Sequence, residues 1–167
     1  MEDLLEDSEA DEQALARVTQ PDFAPDWQAM ALGLDVATER LGRAWGVVSH
    51  LNGVMDTPEL RAAYNAALPC VTDFWTRLGA DERLYAKYQA MDSNQLNAEQ
   101  RQARSNALRN FVLGGAQLVG PAKQRYAQIQ ERQAELSQKF SENVLDATDA
   151  WSYYASADEV AGLPDDV

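Results

Sequence analysis

Residues able to do acid–base, nucleophilic or metal chemistry are sparse: one histidine, His50, and one cysteine, Cys70, stand among 167 residues. A catalytic zinc takes three protein ligands from His, Cys and carboxylates, and no His-Glu-x-x-His occurs here to begin such a set. A di-iron carboxylate bundle needs Glu-x-x-His on each of two helices, whereas Val47 stands three residues before His50. A serine or cysteine nucleophile needs a base, for which His50 is the usual type, and there is no Gly-x-Ser-x-Gly. His50, beside Leu51 near a helix end, reads as a partnered structural histidine rather than a base. Cys70, between Leu68 and Val71, reads as a buried filler.

Leu113-Gly114-Gly115-Ala116 is the glycine-rich spot, but it lacks the Gly-Lys-Ser/Thr ending of a nucleotide loop and follows no strand. A helix break that lets two helices approach closely explains it better. Carboxylate pairs are abundant and, on polar helix faces, are solubilising rather than catalytic. Trp27, Trp45, Phe74 and Trp75 fall on apolar stripes, which favours core packing over ligand stacking. The residues alone therefore nominate no catalytic, cofactor-binding or metal-binding position.

The elements that would position any site are clearer. Residues 2–18 mix acids with Leu4, Leu5, Ala10, Leu15 and Val18, a short helix whose acidic start suits its dipole. After a linker from Pro21 to Pro25, Asp26 caps a long helix with Trp27, Met30, Leu34, Ala37, Leu41, Ala44, Val48 and Leu51 at steps of three and four. Trp45, Val47 and Val54 widen the stripe, so this helix is expected to be central and covered on more than one side. Asn52-Gly53 offers its stop.

Thr57-Pro58 opens a third helix, whose stripe of Leu60, Tyr64, Leu68, Val71, Trp75 and Leu78 passes through Pro69, with a bend expected near Asn65. Gly79 closes it. Asp81 caps a short helix bearing Leu84, Tyr85 and Tyr88, followed by a polar loop from Asp92 to Gln95. Asn97 with Gln100 forms a capping box for a helix through Ala103, Ala107, Leu108 and Phe111. Beyond Gly120-Pro121, the residues Ala122, Tyr126, Ile129, Gln133, Leu136, Phe140, Val144 and Ala147 predict a long, nearly straight helix. That spacing also suits a coiled-coil homodimer, but Gln133 and two alanines weaken such a seam, so cover by helices of the same chain, and a monomer, are expected.

The pattern predicts an all-α fold: an irregular antiparallel bundle of roughly five to six helices, closed by a short extended segment at Trp151-Ser152-Tyr153-Tyr154. Asp158 to Gly162 makes at most one helical turn. An isolated strand leaves its backbone unpaired, which hints at partner sequence beyond Val167. The expected domain layout is 1–150 as a helical lobe and 151–167 as a connector. No fixed-period repeat is visible.

Length suits one domain, able to bury roughly two-thirds of the surface of its unfolded chain. A formal charge of −13 repels phosphate backbones, so nucleic acid is a poor partner. No apolar run reaches the roughly 20 residues that span a bilayer, and Met1-Glu2-Asp3 has the wrong charge for a secretory leader. With a single cysteine and hence no internal disulfide, a reducing compartment and a cytoplasmic location are the default.

Several stretches resemble the thimet oligopeptidase family, specifically its oligopeptidase A type. They are Leu41-Gly42-Arg43-Ala44-Trp45 running on to Ser49-His50-Leu51-Asn52, Thr57-Pro58-Glu59-Leu60-Arg61, and Lys139-Phe140-Ser141-Glu142-Asn143-Val144-Leu145-Asp146-Ala147-Thr148. Leu108-Arg109-Asn110-Phe111, Arg125-Tyr126 and Ala161-Gly162-Leu163-Pro164 continue the likeness in the same order, over most of the chain after about Trp27.

The resemblance implies a two-lobed zinc metalloendopeptidase that hydrolyses short peptides, with a helical N-terminal lobe facing a catalytic lobe across a channel. This chain is similar to the first lobe only. The family's zinc ligands, a His-Glu-x-x-His pair and a later Glu, are expected far beyond Val167, so no catalytic residue carries over and the chain alone should be inactive. The chain is also expected to start late, without the short leader that usually precedes the first helix. The implied partners are the C-terminal catalytic lobe and, for the whole protein, short peptides and zinc. The alternative is a stand-alone helical interaction module.

Overall fold

A computed structural model describes residues 11–55 and 57–164, apart from the side chain of Ala37. The start of the first expected helix, with Leu4, Leu5 and Ala10, lies outside the described residues. Among those described the protein is all-α, with no strand. Helix α1 occupies 11–18. The long second helix is α2 (Trp27–Met30), a π-helical turn (Ala31–Asp35) and α3 (Val36–Val54) in continuous succession. Then come α4 (Pro58–Gly79), α5 (Glu82–Ala90), a 3₁₀ turn (Ser93–Gln95), α6 (Ala98–Leu113) and α7 (Gly120–Asp149).

The helix starts are fixed by local chemistry. Helices α2, α4, α5 and α6 each open on a side chain that accepts a hydrogen bond from an otherwise orphaned backbone N–H. Asp26 accepts from Ala29 N at 2.9 Å, and Thr57 accepts from Leu60 N at 3.2 Å ahead of Pro58. Asp81 accepts from Arg83 N at 2.8 Å and Leu84 N at 3.0 Å. At α6 the box is complete: Gln100 N donates to Asn97 at 2.8 Å and Asn97 N donates to Gln100 at 3.0 Å. Pro69 lies within an unbroken α4.

Contacts divide the chain into residues 1–135 and 136–167. The first unit holds a core of Leu15, Val18, Met30, Leu34, Leu84, Tyr88 and Met91, against which Phe23, Trp27, Leu78, Leu108 and Phe111 pack. A second packed zone joins α3 to α4, where Trp45 stacks on Tyr64 with ring centres 4.6 Å apart, and Leu41, Val71 and Phe74 are buried. The loop after α1 is tied down by Lys87, whose ammonium donates to the carbonyls of Gln20 (2.6 Å) and Phe23 (2.5 Å) and reaches that of Pro21 at 3.5 Å.

The break after α6 works as a close crossing. A Cβ on Gly114 would sit 2.6 Å from the Gly79 carbonyl oxygen, so the ends of α4 and α6 approach this closely only because residue 114 has no side chain. Gly115 then takes φ +93°, a conformation that other residues rarely adopt, and turns the chain toward α7.

The expectation of a central second helix is only half met. Met30, Leu34 and Leu41 are buried, but Leu32, Val36, Val47 and Val54, which lie off the main stripe, are exposed. On α7 the displacement is larger. Its less exposed positions are Lys123, Tyr126, Gln130, Ala134, Gln138, Glu142 and Leu145, while Ile129, Leu136, Phe140 and Val144 are exposed. The expected helix is present; the expected cover over its apolar stripe is not.

The second unit consists of the end of α7 and a tail. Glu142 is its buried residue, within reach of Gln138 Nε2 (3.3 Å) and Lys139 Nζ (3.5 Å). Residues 151–156 form neither helix nor strand, and 157–162 are turns. Glu159 organises this tail: it accepts from the Tyr153 hydroxyl and, at 2.9 Å, from both the backbone N–H and the hydroxyl of Ser156. Those bonds, the Tyr153 one first, hold its carboxyl below the ordinary range.

Candidate functional site

The two residues with the most chemical potential do not meet. Cys70 is exposed, not buried: the α4 stripe runs through Leu68 and Val71, and a residue next to Val71 points about 100° away from it on an α-helix. His50 is exposed by the same geometry, beside Leu51, and its ring makes no hydrogen bond among the described residues. Nor do three or more His, Cys, Asp or Glu side chains among the described residues converge where a metal ion could be held.

Among the described residues the first unit has a cleft of about 590 Å³ lined by charged groups from α1, α4, α5 and the start of α7. Its arginines are already engaged: Arg77 bonds Glu12 and, at 2.7 Å, Asp73, while Arg83 bonds Asp81 at 2.6 Å. Hydrogen bonding to Glu12 raises the Arg77 pKa. Burial pushes the Asp81 carboxyl up, but the Arg83 guanidinium and the N–H groups of the first turn of α5 outweigh it and leave the pKa lowered. A second cleft of about 300 Å³ lies beside the Gly79–Gly114 crossing, between Trp45, Trp75 and Tyr126.

A third cleft, about 380 Å³, is walled by Trp75, Tyr88 and Phe111, with Leu34 and Leu84 beneath and Asp35 from the π-helical turn contributing a carboxylate. Desolvation raises the Asp35 pKa. Burial, followed by the nearby Asp35 charge, pushes the Tyr88 phenol up to about 12. Sequence reasoning identified Trp75 and Tyr88 as stripe residues and passed over Asp35, since a lone carboxylate within a helix carries no local signal.

The other prominent surface is apolar. The second unit exposes Leu136, Phe140 and Val144 on α7 and Trp151, Tyr153 and Tyr154 in its tail. Taken together, the described residues form an all-helical domain with a firm core in the first unit and exposed apolar side chains in the second.

Residues 1–123 match the family model for the N-terminal domain of neurolysin/thimet oligopeptidase, and the chain belongs to that family. It is 40% identical over 151 residues to oligopeptidase A of Haemophilus influenzae, covering 87% of this chain and 22% of that protein. It is 39% identical over 144 residues to oligopeptidase A of Escherichia coli, covering 83% and 21%. It is 32% identical over 166 residues to a probable cytosolic oligopeptidase A of Arabidopsis thaliana, covering 96% and 23%. The chain thus spans between a fifth and a quarter of the length of these relatives. No helix among the described residues is long and apolar enough to cross a membrane.

Proposed function

We propose that this chain is the non-catalytic N-terminal lobe of a zinc-dependent oligopeptidase, forming one wall of a channel that admits short peptides. The observation that carries this reading is the similarity to oligopeptidase A over more than four-fifths of the chain. In this reading residues 1–150 are the lobe and 151–167 the connector, the whole protein is a cytoplasmic monomer, and a C-terminal catalytic lobe holds the zinc. The chemistry is hydrolysis of a peptide bond by water activated at that metal, and no side chain of this chain takes part. What this chain supplies is exclusion: a rigid helical wall limits access to flexible, unfolded segments.

Exposed Leu136, Phe140, Val144 and Trp151 support a docking role. Covering the exposed part of each such side chain contributes on the order of 1 kcal/mol of gross hydrophobic stabilisation, offset by the cost of association. The same exposure suits the second reading, a stand-alone helical interaction module. One experiment separates them: express the entire natural reading frame that encodes this chain, supply zinc, and assay cleavage of short peptides against a folded protein. Zinc-dependent cleavage of peptides alone supports the lobe. A folded, zinc-loaded product that cleaves nothing sinks it, and a reading frame that closes after Val167 favours the module.

A further inference from the structure

We propose that the cleft beside the π-helical turn binds a primary ammonium group, held by the Asp35 carboxylate and the Tyr88 hydroxyl against the rings of Trp75 and Phe111. The proposal stands apart from the peptidase reading, since it concerns a site wholly within the first unit and needs no other lobe.

The cleft has the volume of a small-molecule site, about 380 Å³. Its polar side chains are Asp35, Thr38, Tyr88 and Asn110, of which the Thr38 hydroxyl donates to the Leu34 carbonyl at 3.1 Å. The Asp35 carboxylate makes no ion pair or hydrogen bond among the described residues, and no lysine or arginine lines the cleft. Tyr88 is 8% exposed, yet its hydroxyl has no hydrogen-bond partner there either. A buried phenol usually finds a partner, so this one is left open toward a space where a ligand can supply it. Asp35 lies close enough for its charge to hinder ionisation of Tyr88, but the two groups do not bond each other. A donor placed between them satisfies both.

The chemistry of the walls selects the donor. Ring faces attract a cation, and the carboxylate supplies the counter-charge. Inorganic anions are repelled. A calcium-like ion, which wants six to eight oxygen ligands, finds a single carboxylate and the side chains of Thr38, Tyr88 and Asn110. An ammonium on an alkyl stem uses every part: the stem lies on Trp75 and Phe111, and the head donates to Asp35 and to the Tyr88 oxygen. The π-helical turn is what places the carboxylate there. Its extra residue per turn sets Asp35 at the cleft mouth directly after Leu34, which is 5% exposed in the core. The formal charge of −13 raises the local concentration of cations around the chain.

The test titrates the 167-residue chain with n-butylammonium chloride and, separately, with n-butanol, following the Trp75 indole and the Tyr88 and Phe111 ring signals by NMR. Saturable shifts with butylammonium, at least about tenfold weaker with butanol, are expected. Asp35→Asn, at an exposed helix position, should weaken binding about tenfold, and Tyr88→Phe, which keeps the ring, severalfold; unchanged backbone amide spectra establish that both variants fold. A dipeptide amide with a free α-ammonium and an Nα-acetyl-lysine amide compete as the two sources of such a group, and the tighter binder names the source. Equal binding of butanol, no saturable shift, or full affinity in folded Asp35→Asn overturns the proposal.

Discussion

The two units of the chain use similar residues in opposite ways. In the first, Leu15, Val18, Met30, Leu34 and Leu84 converge from α1, the long second helix and α5, and each is 5% exposed or less. In the second, Phe140 is 69%, Trp151 71% and Tyr154 92% exposed, and the buried residue is an acid, Glu142. A helical apolar stripe is a statement about one face of one helix; whether anything covers that face depends on elements elsewhere. The first unit buries its apolar residues in a core of its own, whereas those of the second are exposed.

The contrast can be broken most directly at paired phenylalanines. Phe74→Ala should cost about 3–5 kcal/mol of unfolding free energy in a denaturant titration, because Phe74 is 1% exposed in a packed interior. Phe140→Ala should stay within about 0.5 kcal/mol in the same titration. Comparable losses would mean that the second unit has a core of its own.

Gly114→Ala sharpens the comparison inside the first unit. Its added Cβ meets backbone at Gly79 that has no side-chain freedom to yield, so a loss of about 1–3 kcal/mol in thermal unfolding is expected. A neutral substitution would show that the α4–α6 crossing can open. Smaller still is Asp81→Ala, about 1 kcal/mol by loss of the α5 cap. Its pH dependence has a definite sign. Because the folded-state pKa of Asp81 is lowered, its stabilisation is fully present above the ordinary value of 3.8 and disappears as pH falls through the lower folded value. The wild-type and Asp81→Ala stability curves should therefore converge below pH 3.8, and a constant offset down to full acid unfolding would assign the effect to something other than this carboxylate.

The helix boundaries were legible because they rest on local chemistry: Asp26, Thr57, Asp81 and the Asn97–Gln100 box act within three residues of themselves. The family was legible from linear motifs around Trp45, Thr57 and Phe140. What could not be read was long-range. Cys70 lies beside apolar neighbours in sequence but off their helix face. The outward turn of Leu136, Phe140 and Val144 depends on where other helices lie. The π-helical turn at Ala31–Asp35 has no composition that marks it, so the carboxylate it delivers to Trp75, Tyr88 and Phe111 was invisible among many acids.

Lys87 spends its ammonium hydrogens on the carbonyls of Gln20 and Phe23. It is one of three lysines in the chain, with Lys123 and Lys139. An amine occupied in this way is a poor nucleophile, so acylating reagents would reach it last of the three. Once acylated, it would lose the charge and most of the hydrogens that clamp the loop. The hold on the loop after α1 thus rests on a positive charge: a single acetyl group on Lys87 would free residues 20–23, while Leu15 and Val18 would keep α1 in the core.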